Sequence, residues 1–173
     1  MEERLTTSIV LYGEIDSFDS EKWLDFYKYV INFINSLNFE PNYIAVSGVS
    51  IKSSKITSLK RIERKFCESV EKGEEISSVS IYSLPEDYEI AAFDYNVYIC
   101  RTNRLKYSHI IITLPNEIFD KVDYKGVIEE LKKNIEFENG EVFKLLNLES
   151  PHLYASKAND PSSFKTLDVI LKF

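Results

Sequence analysis

Glycine and proline are scarce in this chain, five of each in 173 residues, beside two cysteines, two histidines, one methionine and one tryptophan. The glycines (Gly13, Gly48, Gly73, Gly126 and Gly140) form neither GxGxxG nor GxxxxGK. Phosphate binding through a glycine-rich loop is thereby excluded, although other nucleotide sites stay open. GxSxG, HExxH and paired CxxC motifs are also missing, which argues against the commonest catalytic and zinc-binding families. Cys67 and Cys100 stand far apart within apolar or helical patterns, where cysteine behaves as a small buried hydrophobe. No apolar stretch approaches the roughly 20 residues of a membrane span. The opening Met1-Glu2-Glu3-Arg4 is polar and the first apolar run, Ile9 to Tyr12, is short, so no signal peptide is visible. A cytoplasmic protein without cofactor or bound metal is the expectation.

What is present is an ordinary globular composition, 44% hydrophobic and 28% charged, with room for one domain. The formal charge of −7 repels phosphate backbones unless cations gather on one face, and it favours encounter with a basic partner. Aromatic residues are plentiful: 11 Tyr and 11 Phe.

Leu5 to Gly13 reads as a strand. A helix over about 21–38, capped by Asp19 or Ser20, carries Trp23, Phe26, Tyr27, Val30, Phe33, Ile34 and Leu37 at helical spacing. A second strand spans Tyr43 to Ile51. A second helix follows over about 55–72, capped by Ser53 or Ser54 and ended by Gly73, with Ile56, Leu59, Ile62, Phe66 and Val70 as its stripe. The period then becomes two in three successive segments: one around Val79 and Ile81, one over 93–100 and one over 107–114. Short polar turns join them into an antiparallel meander. A third helix is predicted over about 123–135, and Asn139-Gly140 reads as a turn before a strand over 142–148. Residues 149–164 read as a loop, and a last strand spans 166–173. The order β-α-β-α-βββ-α-β-β implies a single α+β domain with a mixed, mainly antiparallel sheet and about three helices on one side. The opening β-α-β leaves a parallel pair possible.

Three constellations carry potential chemistry. Glu14, Asp16, Asp19, Glu21 and Asp25 cluster at the start of the first helix. Calcium-loop spacing fails there, and anions at a helix N-terminus complement its dipole, yet the cluster also suits a basic partner. Lys52, Lys55, Lys60, Arg61, Arg64 and Lys65 form a basic run without interleaved aromatics; with acidic residues following, it reads as a solvated helix face rather than a nucleic-acid footprint. His109 and His152 could pair with a cysteine as nucleophile and base, but no glycine-rich or elbow context supports it.

Leu11-Tyr12-Gly13 before an aromatic amphipathic helix, a meander ending in Ile111-Ile112-Thr113-Leu114-Pro115, and the acidic balance give the whole chain a character. It resembles the immunity proteins that neutralise bacterial polymorphic or contact-delivered toxins. That resemblance implies a one-to-one inhibitory complex with a basic toxin, steered by acidic surface and anchored by exposed tyrosines. The partner-binding residues it points to are Glu14, Asp16, Asp19 and Glu21, then Asp94, Tyr95 and Tyr98. Two other classes stand beside it: a small-ligand binder or enzyme with a pocket between sheet and helices, and a structural subunit pairing through an exposed, uncharged edge strand.

Overall fold

The clearest prediction, the aromatic helix, forms as α1, Ser20–Ser36, and buries Trp23, Phe26, Tyr27, Val30, Phe33 and Ile34. Asp19 caps it by accepting from the Lys22 amide, which satisfies one of the donors a helix start leaves open. A computed structural model describes residues 1–51 and 55–173; Lys52 and the two serines expected to cap the second helix lie outside the described residues.

The strands are β1 (Leu5–Glu14), β2 (Tyr43–Gly48), β3 (Thr57–Ser58), β4 (Ile76–Ser83), β5 (Val97–Thr102), β6 (His109–Pro115), β7 (Glu136–Leu146) and β8 (Asp168–Lys172). Besides α1 the helices are α2 (Leu59–Glu71), α3 (Asn116–Phe119), α4 (Tyr124–Lys132) and α5 (Pro151–Ala155). Among the described residues the eight strands join one sheet in the order β3-β2-β4-β5-β6-β1-β7-β8. Every pairing is antiparallel. The predicted meander is β4-β5-β6. The parallel pair left possible between the first two strands does not form: α1 carries the chain across to the far half of the sheet, and β2 pairs with β4 instead.

The expectation of helices on one side gives way to a sheet covered on both. One face carries Ile9, Leu11, Val97, Ile99, Ile110 and Ile112 against α1, α2 and α4. The other carries Val10, Tyr12, Tyr98, Cys100 and Ile111 against α5 and the segment around Leu84, Ala91 and Tyr95. Two-sided burial explains why Ile110-Ile111-Ile112 runs without alternation, as strands hidden on both faces do. The 149–164 segment read as a loop therefore holds α5, with Pro151 at its first turn and the Ser150 hydroxyl accepting from the Leu153 amide.

Boundaries move in several places. The second helix starts at Leu59 rather than near Lys55, because Thr57–Ser58 pairs with β2. The third is shorter, preceded by α3, and capped by Asp123 on the Gly126 amide. Asp123→Ala is expected to cost about 1 kcal/mol in a urea melt. Phe93 and Tyr95 fall outside β5. Asn139-Gly140 is not a turn but the middle of β7. Glycine is needed there because an added Cβ would lie 2.6 Å from the Val10 carbonyl oxygen and 2.5 Å from the ring of Phe173, whose backbone exchanges hydrogen bonds with Gly140. At the far edge, β8 shifts register beside Ile170 and ends in Asp168 and Lys172. A bulge and flanking charges are devices that discourage edge-to-edge pairing.

Candidate functional site

The β1–β7 register shifts at Tyr12/Gly13, where β7 carries one extra residue, and the ladder ends at the Glu14–Glu136 pair, beyond which Ile15 and Asp16 leave the sheet. The chain then turns into α1. The result is a cleft of about 350 Å³ lined by Glu14, Ile15, Asp16, Asp19, Lys22, Arg101, Ile135 and Glu136. Of the predicted acidic residues, Glu14, Asp16 and Asp19 thus come together. Glu21 is exposed on the first turn of α1 outside the lining, as is Asp25 one turn on. The carboxylates are locally ordered: Asp16 Oδ1 accepts from the Phe18 amide at 2.8 Å and Asp19 Oδ1 from the Lys22 amide at 3.1 Å. Lys22 Nζ donates to the Lys133 carbonyl at 2.9 Å.

Arg101 forms part of the lining, yet the residue is 0% exposed. Its guanidinium stacks 4.0 Å over the ring of Trp23, and Nε donates to the Asn134 carbonyl at 2.9 Å. Nη1 has no hydrogen-bond partner, and no carboxylate lies within ion-pair distance of Arg101 among the described residues. Burial pushes its pKa down to about 10, against the opposing pull of Asp19 and Asp16. Trp23 in turn donates its indole N–H to the Asp16 carbonyl at 3.1 Å. The sequence reading missed Arg101, Lys22 and Glu136. A signal for Arg101 existed: the period of two places it on the same side as Val97 and Ile99, a lone cation on a core face.

The other predicted contacts lie elsewhere. Tyr95 and Tyr98 are 2% and 7% exposed, so they do not form an open aromatic surface; both meander faces are covered. Tyr98 packs against Tyr82, Tyr95 and His152, with ring centroids 5.0, 5.6 and 5.6 Å away. Asp94 serves its own loop, accepting from the Glu89 and Ile90 amides, and these bonds hold its carboxyl below the usual range. The histidines meet on this second face, 5.8 Å apart, and Tyr98 Oη and His152 Nδ1 share a 3.0 Å hydrogen bond. Burial lowers both histidine pKa values, that of His152 to about 4. Cys100 lies on the same face without a hydrogen bond to either histidine among the described residues, and burial pushes its thiol up. The cavity beside Tyr82, Tyr95, Tyr98 and His152 measures about 80 Å³, well short of a small-molecule pocket.

The basic run is a solvated face. Lys60, Arg61, Arg64 and Lys65 are exposed along α2, Lys55 precedes β3, and Arg64 pairs with Glu68 at 2.9 Å one turn on. Among the described residues no three His, Cys, Asp or Glu side chains are grouped to hold a metal ion, and no helix is long and apolar enough to cross a membrane.

No family model matches the chain, and no curated protein does. Among solved structures it is similar to the Pseudomonas aeruginosa T6SS protein PA0821, with a TM-score of 0.55 and 11% sequence identity. The likeness covers 92% of this chain and 46% of the other, so the chain spans less than half of that protein. At this identity the comparison establishes a shared fold.

Proposed function

We propose that the chain is a protein-binding module of the immunity type, which neutralises a basic toxin by docking on the acidic cleft between β1, α1 and β7. The observation that carries this reading is the convergence of Glu14, Asp16, Asp19 and Glu136 on one concave site. Four carboxylates there face two cations, Lys22 and Arg101, in a chain whose net charge is already −7. Such a surface steers a cationic partner and opposes nucleic acid. The fold shared with a T6SS protein agrees with a toxin-system setting. The bulged, charge-flanked β8 weighs against a subunit that assembles by strand pairing.

The anchors differ from those the resemblance implied, since Tyr95 and Tyr98 are interior; charge at the cleft does the recognition. Affinity capture of the tagged chain from its host at low salt is expected to recover a stoichiometric basic protein that high salt releases. With that partner in hand, the variant Glu14→Lys/Asp16→Asn/Asp19→Asn/Glu136→Lys is the direct test. The asparagines keep the turn and the α1 cap. Association measured by stopped flow should slow about tenfold and lose most of its salt dependence. An unchanged rate would remove the cleft from the interface.

A further inference from the structure

Arg101 is hard to account for as a structural residue. A buried guanidinium without an ion pair costs several kcal/mol, and the cation–π contact with Trp23 returns only a part of that. Its only hydrogen bond among the described residues is from Nε, which points the rest of the fork away from the Asn134 carbonyl. Asp16 and Asp19 act on it through space but lie beyond ion-pair distance. Each of those two aspartates has one oxygen committed to a backbone amide, leaving Oδ2 without a hydrogen bond among the described residues. The cleft therefore presents two unmet demands: an anion for the Arg101 fork, and cations for the rim.

A simple anion meets the acidic rim first, and a simple cation leaves Arg101 unpaired. A group carrying both charges satisfies both. We propose that the cleft seats one carboxylate side chain of the protein partner on the Nη edge of Arg101, while basic residues flanking that carboxylate meet Glu14, Asp16, Asp19 and Glu136. The fork geometry of arginine suits a carboxylate, which can accept two parallel N–H bonds. The cleft volume of about 350 Å³ has space for a side chain and its neighbours. For the source of the carboxylate this rests on the partner-binding reading; the chemistry of the cleft can be tested without a partner.

Trp23 makes that test simple. It is the only tryptophan in the chain and lies against Arg101, so its fluorescence reports on this site alone. The purified chain is titrated with two peptides, acetyl-Lys-Glu-Lys-amide and acetyl-Lys-Gln-Lys-amide, which differ only in the central carboxylate. The Glu peptide is expected to give a saturable change and to bind about tenfold more tightly than the Gln peptide. Arg101→Met, with its fold confirmed by circular dichroism, should bind the two alike. Arg101→Lys keeps the charge without the fork and should retain only part of the preference. Equal binding of both peptides to the wild type, binding of neither, or an unchanged preference in Arg101→Met overturns the inference. Those results leave partner capture and its salt dependence untouched, so failure here is separable from failure of the partner-binding reading.

Discussion

Trp23→Ala is expected to lower the folding free energy by about 3–5 kcal/mol, the usual cost of truncating a large buried aromatic side chain. Trp23 is 1% exposed and belongs to the core cluster beneath α1. Besides donating its indole N–H to the Asp16 carbonyl, it does two things there. Its ring fills the space between α1 and the sheet, and its face supports the Arg101 guanidinium. The substitution therefore leaves a cavity and, beside it, a buried cation deprived of its aromatic neighbour. Against a total stability of about 5–15 kcal/mol, such a loss leaves a substantial unfolded fraction in a marginal domain. Urea denaturation followed by circular dichroism measures it, because the mutation removes the fluorophore. Trp23→Phe should lose markedly less. A loss under about 1 kcal/mol for Trp23→Ala would mean that the α1–sheet contact is not the packing centre described.

Acid should destabilise the fold through the second face. Burial, with the nearby His109 adding to it, holds the His152 pKa at about 4, below the ordinary 6.5. The unfolded chain then takes up a proton near 6.5 while the folded chain refuses it until about 4, so stability falls as pH drops through that window. Between pH 7 and pH 5 the loss from His152 is about 2 kcal/mol. His109 shifts in the same direction, also through burial, and adds to the effect. Protonation also puts a charge where His152 meets Tyr98 and faces His109. Urea melts across this range on the wild type and on His152→Gln provide the measurement. The variant should show a clearly shallower dependence on pH; identical curves would assign the acid sensitivity to other groups.

Much of the architecture was legible because its signals are local and periodic. The α1 stripe from Trp23 to Ile34 announces its buried face through spacing alone, and the three meander strands stand out as short apolar runs between polar turns. What escaped depends on contacts between residues far apart in sequence. Asn139-Gly140 has the composition of a turn, but its glycine leaves room for the Val10 carbonyl oxygen and the Phe173 ring, both far away in sequence. Tyr95 and Tyr98 look like surface tyrosines until α5 and the preceding loop are folded over them. The continuous Ile110–Ile112 run was the available clue that both faces are covered.

The candidate site was half legible for the same reason. Glu14, Asp16 and Asp19 lie within one turn of chain, so their cluster is visible in a line of sequence. Arg101 and Glu136 reach them only because β5 and β7 carry them to the same end of the sheet as the end of β1. The acidic patch was thus read as an isolated surface, whereas the fold gives it a cationic floor.

The most direct test of the account is growth. The gene for the captured basic partner is expressed in a laboratory bacterium with and without this chain. The account predicts that the partner alone arrests growth and that co-expression restores it. It also predicts that Glu14→Lys/Asp16→Asn/Asp19→Asn/Glu136→Lys, at equal abundance, does not restore it. Growth unaffected by the partner, or restored equally well by that variant, would contradict the claim that this chain neutralises a toxin through its acidic cleft.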